Sequence, residues 1–206
     1  MKQPHLKMIA AFVTAIIILS GIFLFIQNNQ NNINISALEA KDIAYPIATN
    51  WNNNATLVNV RGGGMNSEGY FSKWIFKYIE PVDALMTVNE TDCIEIKVYS
   101  NGSYESWTGT TGTGVVGDEK MIISWTIDSC QAFEIAYEND NIHSFLRQNP
   151  SVYVFSLHNA TWEGHSTQKP AWFIEWTYDA GFDDPKWAQI LIDANTGEVL
   201  YVDVDD

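Results

Sequence analysis

The chain has 206 residues, 46% of them hydrophobic, and a formal net charge of −14. This length accommodates one ordinary domain or two small ones, and the hydrophobic fraction excludes a disordered acidic tail. The acidic balance argues against nucleic acid as a partner, because phosphates would be repelled.

The first predicted element is an N-terminal membrane anchor. Met8–Ile26 carries no charge and follows Lys2 and Lys7. A helix of this length approaches the roughly 30 Å of a bilayer core, and it exceeds the ~7–15 residues of a signal-peptide core. We therefore predict a cytoplasmic N-terminus (1–7), a single-pass anchor (8–26) and a polar linker (27–35), with the remainder outside the cytoplasm. Cleavage of the segment is the alternative.

Two further features fit an extracytoplasmic location. Cys93 and Cys130 could form one disulfide in an oxidising compartment, although two buried free thiols explain them equally well. Sequons for N-glycosylation also follow the anchor. They are at Asn34, Asn54, Asn89, Asn101 and Asn159.

Beyond the anchor, one sequence pattern occurs twice. "EAKDIAY" (39–45) matches "QAFEIAY" (131–137), and "SKWIFKY" (72–78) matches "PAWFIEW" (170–176). "CIEIKVYSNGSY" (93–104) then matches "WAQILIDANTGEV" (187–199). The same order at nearly constant spacing indicates two copies of one unit.

Each copy begins with a predicted helix and continues as β-structure. Ser36 with Glu39 and Asp128 with Gln131 form capping-box patterns, and Pro46 should kink or shorten the first helix. Strand-like stretches follow: "ATLVNV", "KWIFKY" and "IEIKVY", then "SVYVFSL", "AWFIEWTY" and "QILIDA". We predict an α+β fold with two units, 36–107 and 125–206, each one helix on a 3–4-stranded antiparallel sheet, joined by a Gly/Thr-rich connection (108–124).

No motif indicates catalysis. The Gly/Thr-rich stretch lacks the Lys-Ser/Thr pair of a P-loop, and neither G-x-S-x-G nor H-E-x-x-H occurs. His158, Glu163 and His165 are close in sequence, but such loop groups are usually solvated. We therefore predict no enzyme, no cofactor and no metal. Trp162 and Phe182 are candidate exposed anchors for a protein partner.

The polar cluster near the C-terminus is predicted to be a hairpin corner. A calcium loop needs an oxygen ligand where Gly197 stands, and an aspartic-protease triplet needs Asp in place of Asn195. We expect Asp193 and Asn195 to bond backbone amides beside Thr196, and Gly197 to supply a positive φ.

The ordered pattern, ending in "ILIDANTGEVL", resembles the PepSY family. Residues 128–206 match well, whereas 36–107 lack the Asp and the Thr-Gly-Glu. An anchor before two such units also resembles the TseB-like envelope regulators, which carry tandem cystatin-like folds. The resemblance implies a non-catalytic module that restrains peptidases near the cell surface.

The sequence therefore predicts a membrane-anchored extracytoplasmic protein that modulates an envelope partner such as a peptidase. The alternative is a surface structural or ligand-sensing module that binds glycan or a small molecule. Stabilisation by a ligand without any protein partner would favour the alternative.

Overall fold

The computed structural model describes residues 34–65, 70–81, 90–112, 121–162, 165–179 and 185–205. The helices among them are α1 (Ala37–Trp51), α2 (Ser129–Glu138) and α3 (Asp140–Leu146). The strands are β1 (Thr56–Met65), β2 (Phe71–Ile79), β3 (Glu90–Tyr99), β4 (Tyr104–Gly112), β5 (Ser151–Trp162), β6 (His165–Asp179), β7 (Pro185–Asp193) and β8 (Val199–Val204). Each stretch predicted above as a strand coincides with part of one of these strands, except that Ala55 and Ala194 lie one residue outside.

The strands form a single antiparallel sheet, and this overturns the predicted fold class. Its order is β4-β3-β2-β1-β5-β6-β7-β8. Strands β1 and β5 pair through Val60 with Leu157 and Arg61 with Ser156. The prediction of two separate helix-on-sheet units is therefore wrong, because the strands that would be their exposed edges pair with each other instead.

Strand β4 crosses one of the predicted domain boundaries. Residues 34–206 form one compact unit. Strand β4 continues to Gly112, so the predicted connection 108–124 begins as strand. The predicted anchor, Met8–Ile26, lies outside the described residues. No helix in the described part of the chain is both long and apolar enough to span a bilayer.

One continuous core lies between the helices and one face of the sheet. Alternation along β2 puts Trp74, Phe76 and Tyr78 on this face, and all three are buried. Helix α1 contributes a stripe of buried alanines, Ala37, Ala40, Ala44 and Ala48. These small side chains allow the helix to approach the aromatic strands closely. Helix α1 continues through Pro46 to Trp51, so the expected shortening does not occur.

The opposite face of the sheet, called here the outer face, carries two smaller apolar clusters. One contains Ala171, Phe173 and Leu191. The other contains Val58, Ile79 and Cys93. The sheet is thus apolar on both faces, but the large aromatic side chains of β2 lie on the helix side.

The N-termini of α1 and α2 share their caps. Both predicted capping boxes are present, one at Ser36 and one at Asp128. Asp128 Oδ1 also accepts the α1 amide of Leu38 at 3.1 Å, and Ser129 Oγ accepts that of Ala37 at 3.1 Å. A carboxylate at two helix N-termini satisfies donors that the helices cannot pair themselves.

This sharing predicts that Asp128 contributes more stability than a cap that serves one helix. Asp128→Ala should lower the free energy of unfolding by about 2 kcal/mol, the upper end for caps. The side chain of Asn139 caps only α3, through the amides of Asn141 and Ile142. Its backbone N–H, which ends α2, is kept in the alanine variant, so Asn139→Ala should cost about 1 kcal/mol. Urea unfolding of the full chain measures both, and equal losses would contradict the shared cap.

Candidate functional site

Strand β4 is one of the two end strands of the sheet, and most of its side chains are exposed. It pairs with β3 over its whole length, from Glu90 with Gly112 to Val98 with Tyr104. Within the part of the chain that the structure describes, no strand pairs with its other side. Tyr104 is 53% exposed and Trp107 is 61% exposed. Large aromatic side chains at such exposure beside an open strand are typical of a partner-binding edge.

The hydrogen-bond pattern shows which amides of β4 face outward. Tyr99 N–H donates to the carbonyl of Ser103 at 2.9 Å. Because paired and unpaired positions alternate in an antiparallel ladder, Glu105 and every second residue after it bond to β3. The backbone groups of the intervening residues therefore point away from the sheet. These are Tyr104, Ser106, Thr108 and Thr110.

The side chains of the outer face are held in place around this edge. The indole of Trp107 lies over Gly109, where a Cβ would collide with its ring. Lys97 Nζ is 3.1 Å from Glu105 Oε2, and their hydrogen bond raises the lysine pKa and lowers the glutamate pKa. Both side chains are solvent-accessible, so the pair contributes little stability. The pair places the positive charge of Lys97 and the negative charge of Glu105 beside Trp107.

The candidate disulfide is not formed, and both cysteines are free. Cys93 belongs to an outer-face cluster, whereas Cys130 lies on α2, which packs on the other face. The sheet therefore separates the two sulfur atoms. Burial raises the pKa of both thiols, so they are chiefly protonated and unreactive at neutral pH.

The candidate glycosylation sites differ in accessibility. Asn34, Asn54 and Asn101 are exposed, and Asn89 lies outside the described residues. Asn159 is partly buried in β5, where its side-chain amide donates to the carbonyl of Met121 at 3.3 Å. Modification at Asn159 would break that bond.

His158 and His165 lie at different points along the β5–β6 hairpin. His165 pairs with Trp162 at its tip. His158 and Trp162 are four positions apart along β5, a rise of about 13 Å. His158 Nδ1 lies 3.2 Å from Ser156 Oγ, and burial lowers its pKa. Glu163 and Phe182 lie outside the described residues. Among those that are described, no cluster of three or more His, Cys, Asp or Glu is arranged to bind a metal.

The polar corner after β7 is a turn built on Asp193. Its Oδ1 accepts the amides of Asn195 at 2.8 Å and Thr196 at 3.0 Å. Gly197 has φ 76°. Asn195 takes part through its backbone, since its carbonyl accepts the hydroxyl of Thr126 at 2.8 Å. The turn is thereby tied to the segment that precedes α2.

Sequence reasoning missed the β4 edge because its Gly- and Thr-rich stretch was interpreted partly as a connection. The available signal was alternation, with Glu105 and Trp107 separated by one small residue. Alternation alone predicts a strand, but it does not show that the strand lies at the end of a sheet.

Comparison with known proteins leaves the family open. No protein-family profile matches the chain, and no curated protein matches it. One solved structure is similar, that of a "putative lipoprotein" from Clostridium difficile 630. The similarity covers 79% of this chain and 90% of that chain, with 18% sequence identity and a TM-score of 0.48.

The turn at Gly197 yields a prediction with a matched control. A Cβ at Gly197 would lie 3.1 Å from Ile135 Cδ1, whereas one at Gly102 (φ 80°) would meet nothing within 4 Å. Gly102→Ala should therefore cost only the left-handed backbone penalty, about 1 kcal/mol. Gly197→Ala adds crowding and should cost about 2 kcal/mol. Urea unfolding measures both, and a smaller loss for Gly197→Ala would contradict the packing.

Proposed function

We propose that this protein is a membrane-anchored, extracytoplasmic binding module of the PepSY type that modulates an envelope partner, such as a peptidase, without catalysis. The observation that carries the proposal is the open edge of β4. Its outward backbone groups and the exposed Trp107 together form a surface that a partner strand can extend.

In strand addition, the backbone provides affinity and the neighbouring side chains provide selectivity. An added strand pairs with the outward amides and carbonyls of Tyr104, Ser106, Thr108 and Thr110, which any extended peptide can do. Selectivity then comes from side chains beside the edge. Trp107 offers a large apolar surface, and the adjacent Lys97 and Glu105 favour a partner with charges of complementary order.

The location is supported by two features. Met8–Ile26 has the length and composition of an anchor, and the lysines before it favour a cytoplasmic N-terminus. Asn34, Asn54 and Asn101 are exposed on the body of the protein, as extracytoplasmic glycosylation requires.

The β4 edge can be tested with a pair of substitutions at one position. Thr108→Pro removes an outward N–H without breaking the bonds to β3, which edge strands tolerate. Thr108→Val keeps the N–H and serves as the matched control. The assay measures hydrolysis of a casein substrate by envelope membranes of the source organism, with and without the full-length protein.

We expect the wild type and Thr108→Val to change the hydrolysis rate equally. Thr108→Pro should need about tenfold more protein for the same effect, because a hydrogen bond is lost and the ring obstructs the added strand. Equal potency of the proline variant would exclude the edge as the docking site. No effect of the wild type would count against the regulatory function itself.

A further inference from the structure

A cleft of about 280 Å³ lies on the helix side of the sheet, away from the outer face. It is formed by α1, the start of β1, β2 and the segment 121–125. That segment runs beside β1, where the Ile122 amide donates to the carbonyl of Leu57 at 2.8 Å. Its lining residues include Lys41, Tyr45, Leu57, Tyr78, Ile122 and Trp125.

Two buried donors in this lining make no hydrogen bond with any residue that the structure describes. Tyr78 is 2% exposed and Trp125 is 4% exposed. Neither the Tyr78 hydroxyl nor the Trp125 indole N–H has a partner within this part of the chain. Buried polar groups are nearly always paired, because leaving one unpaired forfeits its bond to water without replacement. Both residues line the same cleft, and the described residues supply an acceptor to neither group.

Two other buried indoles are paired with backbone carbonyls. Trp74 donates to the carbonyl of Ile35 at 2.9 Å, and Trp172 donates to that of Ile127 at 2.7 Å. Trp125 is comparably buried, but no described residue offers it an equivalent carbonyl. Burial, and secondarily Tyr45, raise the pKa of the Tyr78 hydroxyl, so it remains a donor at neutral pH.

The cleft also contains a cation. Lys41 Nζ lies 4.4 Å from the centre of the Trp125 ring. In the described part of the chain, no carboxylate forms a salt bridge with Lys41, although the protein carries a net charge of −14. A cation–π contact leaves the ammonium free to attract an anion.

We propose that this cleft binds a small amphipathic carboxylate. Its oxygen atoms accept from the Tyr78 hydroxyl and the Trp125 indole, Lys41 balances its charge, and its apolar part packs against Leu57 and Ile122. The volume lies just below the roughly 300–1,000 Å³ of ligand pockets, which suits a compact ligand. The site goes beyond the proposed partner binding and does not depend on it.

The test is calorimetric titration of the full-length protein with 4-phenylbutyrate and with its neutral amide, 4-phenylbutyramide. The wild type should bind the carboxylate about tenfold more tightly than the amide, since hydrogen bonds to charged groups are the stronger ones. Lys41→Met should reduce that preference, because the charge that balances the carboxylate is lost. Lys73→Met, which removes a lysine from the outer face, should leave it unchanged.

Tyr78→Phe separates ligand binding from a structural role. Without probe, its melting temperature should equal or exceed that of the wild type, because the lost hydroxyl had no partner. Its affinity for 4-phenylbutyrate should fall about fivefold. A lower melting temperature without probe would show that the hydroxyl is structurally bonded, and this would overturn the proposal.

Two other results would also overturn it: no binding of 4-phenylbutyrate by the wild type, or equal affinity for acid and amide. Thr108→Pro should bind the probe as the wild type does. A negative result for partner binding at the β4 edge can therefore be distinguished from a negative result for carboxylate binding in the cleft, because each variant alters one site only.

Discussion

The rest of the structure depends on a cluster of four aromatic rings that spans the join between β1 and β5. Phe71 and Trp74 from one half of the chain meet Phe155 and Trp172 from the other. Phe155 lies 4.8 Å from Phe71 and 5.4 Å from Trp172 between ring centres, and the two indoles are 6.0 Å apart. Strands β1 and β5 pair through Val60 with Leu157 and Arg61 with Ser156, and burial of these rings adds to the stability of the join.

The same tryptophans position the helices. Each indole N–H bonds the residue that precedes a helix cap, Ile35 for Trp74 and Ile127 for Trp172. The starts of α1 and α2 are thus tied to the join, where Asp128 caps both. Joining at β1 and β5 removes two sheet edges and leaves β4 at one end. The join therefore covers the edges of β1 and β5, whereas β4 remains an end strand.

The two proposed sites lie in different environments, and this explains their different chemistry. The β4 edge is exposed, so its affinity comes from backbone pairing and from the aromatic area of Trp107. The Tyr78 side chain in the cleft is buried, so its hydroxyl has a larger effect on binding than an exposed group would have. A large extended partner suits the first site, and a small polar-headed ligand suits the second.

The sequence by itself determined the local features of this protein. These features are the capping boxes at Ser36 and Asp128 and the strands of alternating pattern. Each depends on residues only a few positions apart, so it can be predicted from the sequence. Only the tertiary structure decided the single sheet, the open side of β4, the separation of Cys93 from Cys130 and the unpaired indole of Trp125. These depend on which distant strands pair, and hydrophobic alternation is equally satisfied by two small sheets or one large one.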